Sequence, residues 1–340
     1  MIQAYKTFKV LIIGCGNIAG GYDNVQPDKN LPLGHAKAFI NHGGFELSGC
    51  VEPDAHKRVA FQKRWKITHG YESMQSVLAN NLEFDVISIC SPTQQHENDI
   101  QAAISNQPQL IFCEKPITPC VEDSLKSIKS CQDSGIKLAV NYSRRWSSQV
   151  DAFRQELINE SWGQVRSVTG IYNKGILNNG SHMIDLLQCL VGPLQVQTVG
   201  KAIYDHWTED PSIDCVLRTE SGAPVHINVA DARDYAIFEL QIITEKGVIS
   251  IEDGGSTWRL RKAQPSTDLD GYQFLNQGET THQLQSDAMT NAVANIWEAL
   301  AYNKPLLSDG SNALKAQLVC EQIKQMAMPK NSHIKIKEVI

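Results

Sequence analysis

At 340 residues, the chain is long enough for two domains that each bury a core of their own. Its 31 lysines and arginines against 37 aspartates and glutamates give a net charge of -6, which argues against nucleic-acid and membrane-surface partners. No apolar run approaches the length of a bilayer span, no signal peptide is recognisable, and the nine scattered cysteines lack metal-site spacing. We therefore expect a cytoplasmic protein with reduced thiols and no metal.

The chain opens on a strand followed by a glycine-rich turn. Residues 8–13 are continuously apolar, as in a parallel strand that is buried on both faces. A GxGxxA sequence follows directly and provides five candidate cofactor-binding residues: Gly14, Gly16, Asn17, Ile18 and Ala19. Such a turn lets the backbone approach a pyrophosphate, with a helix amino end facing the anion. The motif alone is weak, but its place after the first strand favours a dinucleotide site. A loop over 20–34 and a helix over 35–42 come next.

The second predicted strand, residues 45–51, ends in Glu52. A dinucleotide-binding fold places an acid here to bond the adenosine ribose hydroxyls. Because a carboxylate repels a 2′-phosphate, Glu52 favours NAD over NADP as the cofactor. The alternative is an ordinary solvated acid in a loop.

Three further strands end in polar residues. Predicted strands at 84–90, 110–113 and 137–140 alternate with predicted helices at 54–65, 73–80, 96–105 and 123–134. The alternation predicts a doubly wound parallel sheet, whose ligands bind beyond the carboxyl ends of the strands. The candidate cofactor residues at these ends are Ser91, Pro92, Thr93, His96, Glu114 and Asn141. Lys115 and Pro116 follow Glu114, and proline ends the strand.

The second half of the chain has a different pattern. A helix at 147–160, a strand at 164–172, an irregular stretch at 173–179 and an amphipathic helix at 181–190 precede a series of strands. These predicted strands span 196–204, 213–218, 224–229, 236–244, 247–251 and 257–261, and turns between them indicate a mainly antiparallel sheet. Helices at 285–302 and 311–326 close the chain. The predicted domains are 1–122 (Rossmann, with a return strand and helix to about 142), 143–285 (substrate and oligomerisation) and 286–340 (closing helices and tail).

Four motifs occur in a characteristic order: Gly14-x-Gly16, Glu114-Lys115-Pro116, Asn141-Tyr142-x-Arg144-Arg145-Trp146 and Gly180-Ser181-His182-Met183-Ile184-Asp185. With them the chain resembles the glucose–fructose oxidoreductase / inositol dehydrogenase / MocA family over nearly its whole length. The resemblance implies an amino-terminal Rossmann domain and a carboxyl-terminal α/β domain whose open antiparallel sheet forms homodimers or homotetramers. It also implies NAD(P)-dependent redox chemistry at a carbinol carbon of a sugar, cyclitol or nucleotide sugar.

The resemblance assigns the catalytic roles to Lys115 and His182. It places a substrate site at Arg144, Arg145, Tyr172, Lys174, Asn178 and Asp185. The family frequently has an aspartate where this chain has Asn178, and an asparagine cannot accept a proton. Asp185 lies one turn beyond His182, where it either orients the imidazole or packs locally. The two arginines either bind an anionic substrate or serve the cofactor and domain packing.

In the expected mechanism Lys115 is the general base in oxidation. This requires its pKa to fall from about 10.4, as burial beside a cationic ring would cause. We also expect the Lys115–Pro116 peptide bond to be cis. Two alternatives remain: a glycosidase of the same fold that uses NAD without net redox change, and a non-catalytic NAD-binding regulator. Accumulation of NADH, glycoside cleavage, or binding without turnover would distinguish the three.

Overall fold

The computed structural model describes residues 6–24, 31–283 and 286–328. The chain divides into two compact units, one of Met1–Asp151 with Gln285–Leu314 and the other of Ala152–Leu284 with Lys315–Ile340. Three sequence predictions fall partly outside the described residues: the loop at 20–34, the start of a helix at 285, and the tail beyond 328.

The first unit contains a six-stranded parallel sheet. Its strands are β1 (Phe8–Ile13), β2 (Phe45–Val51), β3 (His69–Tyr71), β4 (Val86–Ile89), β5 (Leu110–Cys113) and β6 (Lys137–Val140). They lie in the order β3-β2-β1-β4-β5-β6, so the direction of winding reverses beside β1. The predicted doubly wound sheet is confirmed, and a dinucleotide binds at such a reversal, beyond the strand carboxyl ends. The edge strand β3 was not predicted, because three residues carry too little pattern.

Helices cover the sheet of the first unit. They are α1 (His35–His42), α2 (Ala55–Trp65), α3 (Met74–Ala79), α4 (His96–Ile104) and α5 (Val121–Asp133). The Asp54 carboxylate caps α2 by accepting from the amides of His56 and Lys57 at 2.9 and 3.1 Å. Gly43 and Gly135 follow α1 and α5 with positive φ, the conformation that ends many helices.

The second unit contains a nine-stranded mixed sheet. Its strands are β7 (Val165–Tyr172), β8 (Leu194–Val199), β9 (Cys215–Thr219), β10 (Pro224–Val229), β11 (Phe238–Thr244), β12 (Gly247–Glu252), β13 (Thr257–Pro265), β14 (Gln273–Leu275) and β15 (Glu279–His282). β7 and β10 pair in parallel and the other pairs are antiparallel, which confirms the mainly antiparallel prediction. Strict alternation of buried and half-buried residues along β11 shows a sheet with one face against a core.

The predicted strand at 196–204 is wrong beyond residue 199. At Gly200 the backbone amide still bonds to the carbonyl of Asp214, but Ile203 and Ser212 then form an isolated bridge. Between them the chain turns so that the side chain of Asp205 points inward, with 4% exposure. A loop with an inward-facing acid cannot maintain the alternation of a strand.

The described residues form four further α-helices: α6 (Ser148–Ile158), α7 (Ser181–Val191), α8 (Ala288–Ala301) and α9 (Gly310–Ala327). The stretch before α7, predicted to be irregular, is a π-helical segment, Gly175–Gly180, that continues directly into α7. π-Helical segments are rare and occur frequently at functional sites. Among the described residues, no helix is long and apolar enough to cross a membrane.

Candidate functional site

The glycine turn after β1 has one side that is closed by the fold and one that is open. Gly14 has a φ of +86°, and a Cβ there would lie 2.7 Å from the backbone nitrogen of Ser91. Only glycine fits this conformation and this contact. A Cβ on Gly16 would have no described atom within 4 Å. Gly16 and Asn17 are exposed and Ile18 is half-buried, whereas Ala19 is buried in the π-helical turn Asn17–Gly21. The open side leaves room for a phosphate to approach the backbone.

Glu52, at the end of β2, lies beside this turn. Its Oε2 accepts from the backbone amide of Cys15 at 3.0 Å, and its Oε1 accepts from the amide of Asp54 at 3.2 Å. The carboxylate is therefore held in place by the turn itself, and each of its oxygens has a further lone pair for a ribose hydroxyl.

The segment after β4 is linked to the turn after β5. His96 is fully buried. Its Nε2 lies 2.9 Å from the carbonyl oxygen of Ser91, and its Nδ1 lies 2.9 Å from the carbonyl oxygen of Pro116. Ser91 Oγ also donates to Asp99 Oδ2 at 2.5 Å, and burial raises the pKa of Asp99. His96 thus connects two strand ends. Pro92 is exposed and Thr93 half-buried at the start of the 3-10 turn Thr93–Gln95.

Lys115 is half-buried at the carboxyl end of β5, and its bond to Pro116 is cis, as expected. The carboxylate of the preceding residue is fixed from two directions. Glu114 Oε1 lies 2.9 Å from His35 Nε2 and accepts from Asn141 Nδ2 at 2.6 Å. Its other oxygen, Oε2, accepts from the backbone amide of Lys115 at 3.3 Å. The candidate acid/base residue therefore follows an anion that the fold holds firmly.

His35 is the partner that sequence reasoning missed. It is fully buried, its Nδ1 lies 2.8 Å from Ser88 Oγ in β4, and its ring lies 4.5 Å from the ring of Phe112. Burial by itself lowers the pKa of His35, but Cys90 and Glu114 together raise it to about 10. Burial likewise raises the pKa of Glu114, yet hydrogen bonding to His35, with help from Asn141 and Lys115, holds it below its usual value. The two groups form a buried ion pair.

Asn141 continues the β5–β6 ladder by one residue, because its amide donates to the carbonyl of Cys113 at 2.8 Å. It is 5% exposed. Its Oδ1 is buried and has no hydrogen-bond partner within the part of the chain that the structure describes. Arg144 and Arg145 follow on the 3-10 turn Ser143–Trp146, both half-buried.

In the second unit, two aspartates hold the segment before α7. Asp210 accepts from the amides of Leu177 and Asn178, both at 2.8 Å, and so caps the π-helical segment. Asp205 accepts from the amide of Lys174 at 2.9 Å and from Ser212 Oγ at 3.0 Å. Lys174 has a φ of 66°, a conformation unusual for lysine that these contacts support. Neither aspartate was predicted to matter.

The remaining predicted site residues of the second unit are Tyr172, Asn178, His182 and Asp185. Tyr172 is fully buried, and its hydroxyl both donates to the carbonyl of Ile213 and accepts from its amide, each at 2.9 Å. Asn178 donates from Nδ2 to the carbonyl of Lys174 at 3.0 Å. His182 is half-buried in the first turn of α7, and Asp185 is 1% exposed one turn further on. The assignment of Tyr172, Asn178 and Asp185 to the substrate site, and of His182 to catalysis, stays a prediction.

The amino-terminal unit has recognisable relatives. Residues 8–142 match the model of a family described as an oxidoreductase family with an NAD-binding Rossmann fold, the GFO_IDH_MocA family. The Rossmann domain belongs to this oxidoreductase family. The open face at Gly16, the carboxylate of Glu52 and the buried acceptor of Asn141 fit the binding of NAD.

Similar proteins include two inositol 2-dehydrogenases. The chain is 26% identical to that of Rhizobium meliloti (strain 1021) over 197 residues, half of this chain and 58% of the relative. It is also 26% identical to that of Pseudarthrobacter chlorophenolicus over 266 residues, 72% of this chain and 74% of the relative. Among solved structures, the WlbA dehydrogenase from Bordetella pertussis, in complex with NADH and UDP-GlcNAcA, has the same fold, with a TM-score of 0.74 at 18% identity. That match covers 95% of this chain and 97% of the other.

Proposed function

We propose that the protein is an NAD-dependent dehydrogenase that oxidises or reduces a carbinol carbon of a sugar, cyclitol or nucleotide sugar. The observation that carries the proposal is the end of β5, where half-buried Lys115 follows a carboxylate fixed by His35 and Asn141. This strand end belongs to the same parallel sheet as the glycine turn and Glu52. An amine held there is placed where open α/β sheets bind their ligands.

NAD, when bound, supplies the hydride acceptor or donor. In the proposed reaction Lys115 takes the proton from the substrate hydroxyl during oxidation and returns it during reduction. Positioned acid–base groups of this kind contribute about 10²–10⁴-fold to rate. We assign His182 as a second group that hydrogen-bonds the reacting hydroxyl. Its support is the motif it belongs to and its partial exposure on the first turn of α7.

The substrate class is supported by the relatives, which are named for inositol, and by WlbA, whose complex holds a nucleotide sugar. Arg144, Arg145 and Lys174 are positively charged residues that suit a carboxylate or a diphosphate. Asn178 supplies an amide where the family frequently has a carboxylate, so a three-member relay with an acid is not part of the proposal. Homodimer or homotetramer formation through the second sheet, and a cytoplasmic location, stay predictions.

Replacement of Lys115 tests the proposal, with replacement of Lys126 as the matched control. Lys126 lies on α5 with 64% side-chain exposure and pairs with Glu97. Wild type, Lys115→Met and Lys126→Met are screened with NAD against sugars, cyclitols and nucleotide sugars by absorbance of NADH, and NADH affinity is measured separately. We expect Lys115→Met to lower kcat by about 100-fold or more, while NADH affinity stays within about threefold, and Lys126→Met to behave as wild type.

Each contrary outcome has a defined meaning. A kcat for Lys115→Met within about threefold of wild type contradicts the role of Lys115 as acid/base. Glycoside cleavage without net NADH identifies the glycosidase instead, and NAD binding without turnover on the whole panel identifies a regulator. A kcat/KM at least tenfold higher with NADP than with NAD would contradict the role given to Glu52.

A further inference from the structure

The buried amide of Asn141 has a direction that its neighbours determine. The nitrogen Nδ2 lies 2.6 Å from Glu114 Oε1, and an ionised carboxylate only accepts hydrogen bonds. Glu114 is kept ionised by His35, whose Nε2 lies 2.9 Å from the same oxygen. The amide nitrogen must therefore face Glu114. The amide oxygen must face the opposite way.

Leaving Asn141 Oδ1 without a hydrogen-bond donor destabilises the protein. Asn141 is 5% exposed, and within the described residues no donor reaches Oδ1. A buried acceptor that lacks a partner loses about 1–3 kcal/mol relative to a satisfied one. Native structures keep few such groups, and those they keep call for an explanation. A ligand donor, an N–H or an O–H, supplies the missing hydrogen bond.

The place of Asn141 in the sheet selects the ligand. The glycine turn follows β1 and Glu52 follows β2, so the adenosine half of a dinucleotide belongs to the β2 side of the reversal beside β1. Asn141 follows β6, on the opposite side, next to the strand that ends in Lys115. The nicotinamide half lies on that side. Its carboxamide carries an NH₂ group that donates hydrogen bonds.

We infer that Asn141 Oδ1 accepts a hydrogen bond from the carboxamide NH₂ of the nicotinamide, and that His35, acting through Glu114, is the positioning residue that fixes this direction. The inference rests on the proposed function and adds to it the atom that recognises the nicotinamide. Without His35, Glu114 loses the N–H donor at Oε1 and gains a proton. Once protonated it donates to Asn141, and the amide presents its nitrogen rather than its oxygen to the ligand.

The test compares binding of three ligands, without turnover, by titration calorimetry. They are NADH, the reduced 3-acetylpyridine analogue in which a methyl group replaces the carboxamide NH₂, and ADP-ribose, which has no nicotinamide. We expect wild type to bind NADH at least about fivefold more tightly than the analogue. Asn141→Leu is expected to bring this ratio close to one while leaving ADP-ribose affinity within about twofold. Asn141→Ala repeats the test should the leucine variant not fold.

The role of His35 is tested by the same ratio. His35→Phe is expected to lose the preference for NADH, whereas His35→Gln, which keeps an N–H donor for Glu114, is expected to retain it. A merely structural role of His35 would weaken all three ligands equally and leave the ratio unchanged, which would overturn its positioning role. Equal binding of NADH and the analogue by wild type would overturn the inference about Asn141. Failure of wild type to bind any of the three would overturn the proposed function itself.

Discussion

Replacement of Glu114 by glutamine removes the charge of the buried pair and keeps its shape. In wild type the pKa of His35 stands at about 10 against an ordinary value of 6.5. Because a one-unit shift corresponds to about 1.36 kcal/mol, this rise contributes about 4 kcal/mol to stability at pH 7 and about 1 kcal/mol at pH 9. Cys90 contributes more to this rise than Glu114 does. We therefore expect Glu114→Gln to lower the free energy of unfolding at pH 7 by about 1–2 kcal/mol.

The expected loss depends on pH with a definite sign. A histidine whose pKa is raised by folding stabilises fully below its unfolded pKa of about 6.5, and this contribution disappears as pH rises toward the folded value. Glu114 has a lowered pKa, so its contribution is complete above its usual pKa and disappears as the pH falls through the folded one. Both contributions are complete near pH 6. The difference between wild type and Glu114→Gln should therefore be largest there and shrink steadily toward pH 9.

Two measurements test this reasoning. Urea unfolding of both proteins across about pH 6–9 gives the difference in stability, and Cys90, which is common to both, cancels to first order. NMR of histidine-labelled protein follows the imidazole directly, with His35→Phe identifying its signals. Wild-type His35 should stay protonated beyond pH 8. Titration of His35 near pH 6.5 in wild type, or a stability difference that does not change with pH, would refute the ion pair.

The remaining predictions concern the glycine turn and the second unit. Gly14→Ala should destabilise the fold by about 1–3 kcal/mol, because the added Cβ would lie 2.7 Å from the backbone of Ser91. Gly16→Ala has open space around its Cβ, so it should leave Tm unchanged and weaken NADH binding. Equal losses of Tm in the two variants would contradict this. Asp210→Asn weakens the cap on the π-helical segment, so we expect Tm to fall and the substrate KM to rise while NADH affinity stays constant. The exposed Glu209→Gln is its control and should change none of the three.

The parallel sheet could be predicted because most of its strands are rich in apolar residues. Strands β1, β2, β5, β6 and β10 have the predicted bounds, and a glycine or a polar residue directly follows β1, β2, β5 and β6. Strands without such a pattern were missed. β15 is polar and exposed along its whole length, so it is defined by its pairing with β13 rather than by its own residues. Backbone hydrogen bonds between distant segments leave no trace in local composition.

The same limit explains what was found and missed in the site. Lys115, Glu114 and Asn141 were identified because each directly follows a strand, which is a local feature of the sequence. His35 contacts Ser88, which is 53 residues away in the sequence, and Glu114, which is 79 residues away. The residues around His35 in the sequence do not predict either contact. One signal was available. Ser88 is a lone polar residue inside the apolar strand β4, and a buried hydroxyl requires a partner.

The sheet order determines that these groups meet. β4, β5 and β6 are consecutive neighbours in parallel register, with Ile89 opposite Cys113 and Cys113 opposite Val140. This register puts Glu114 and Asn141 at the same level, one residue beyond their strands. A shift of one residue in either pairing would turn the affected side chains to the other face of the sheet. The ion pair and the amide are therefore consequences of strand register, and the packing of the apolar strands is what fixes the chemistry at their ends.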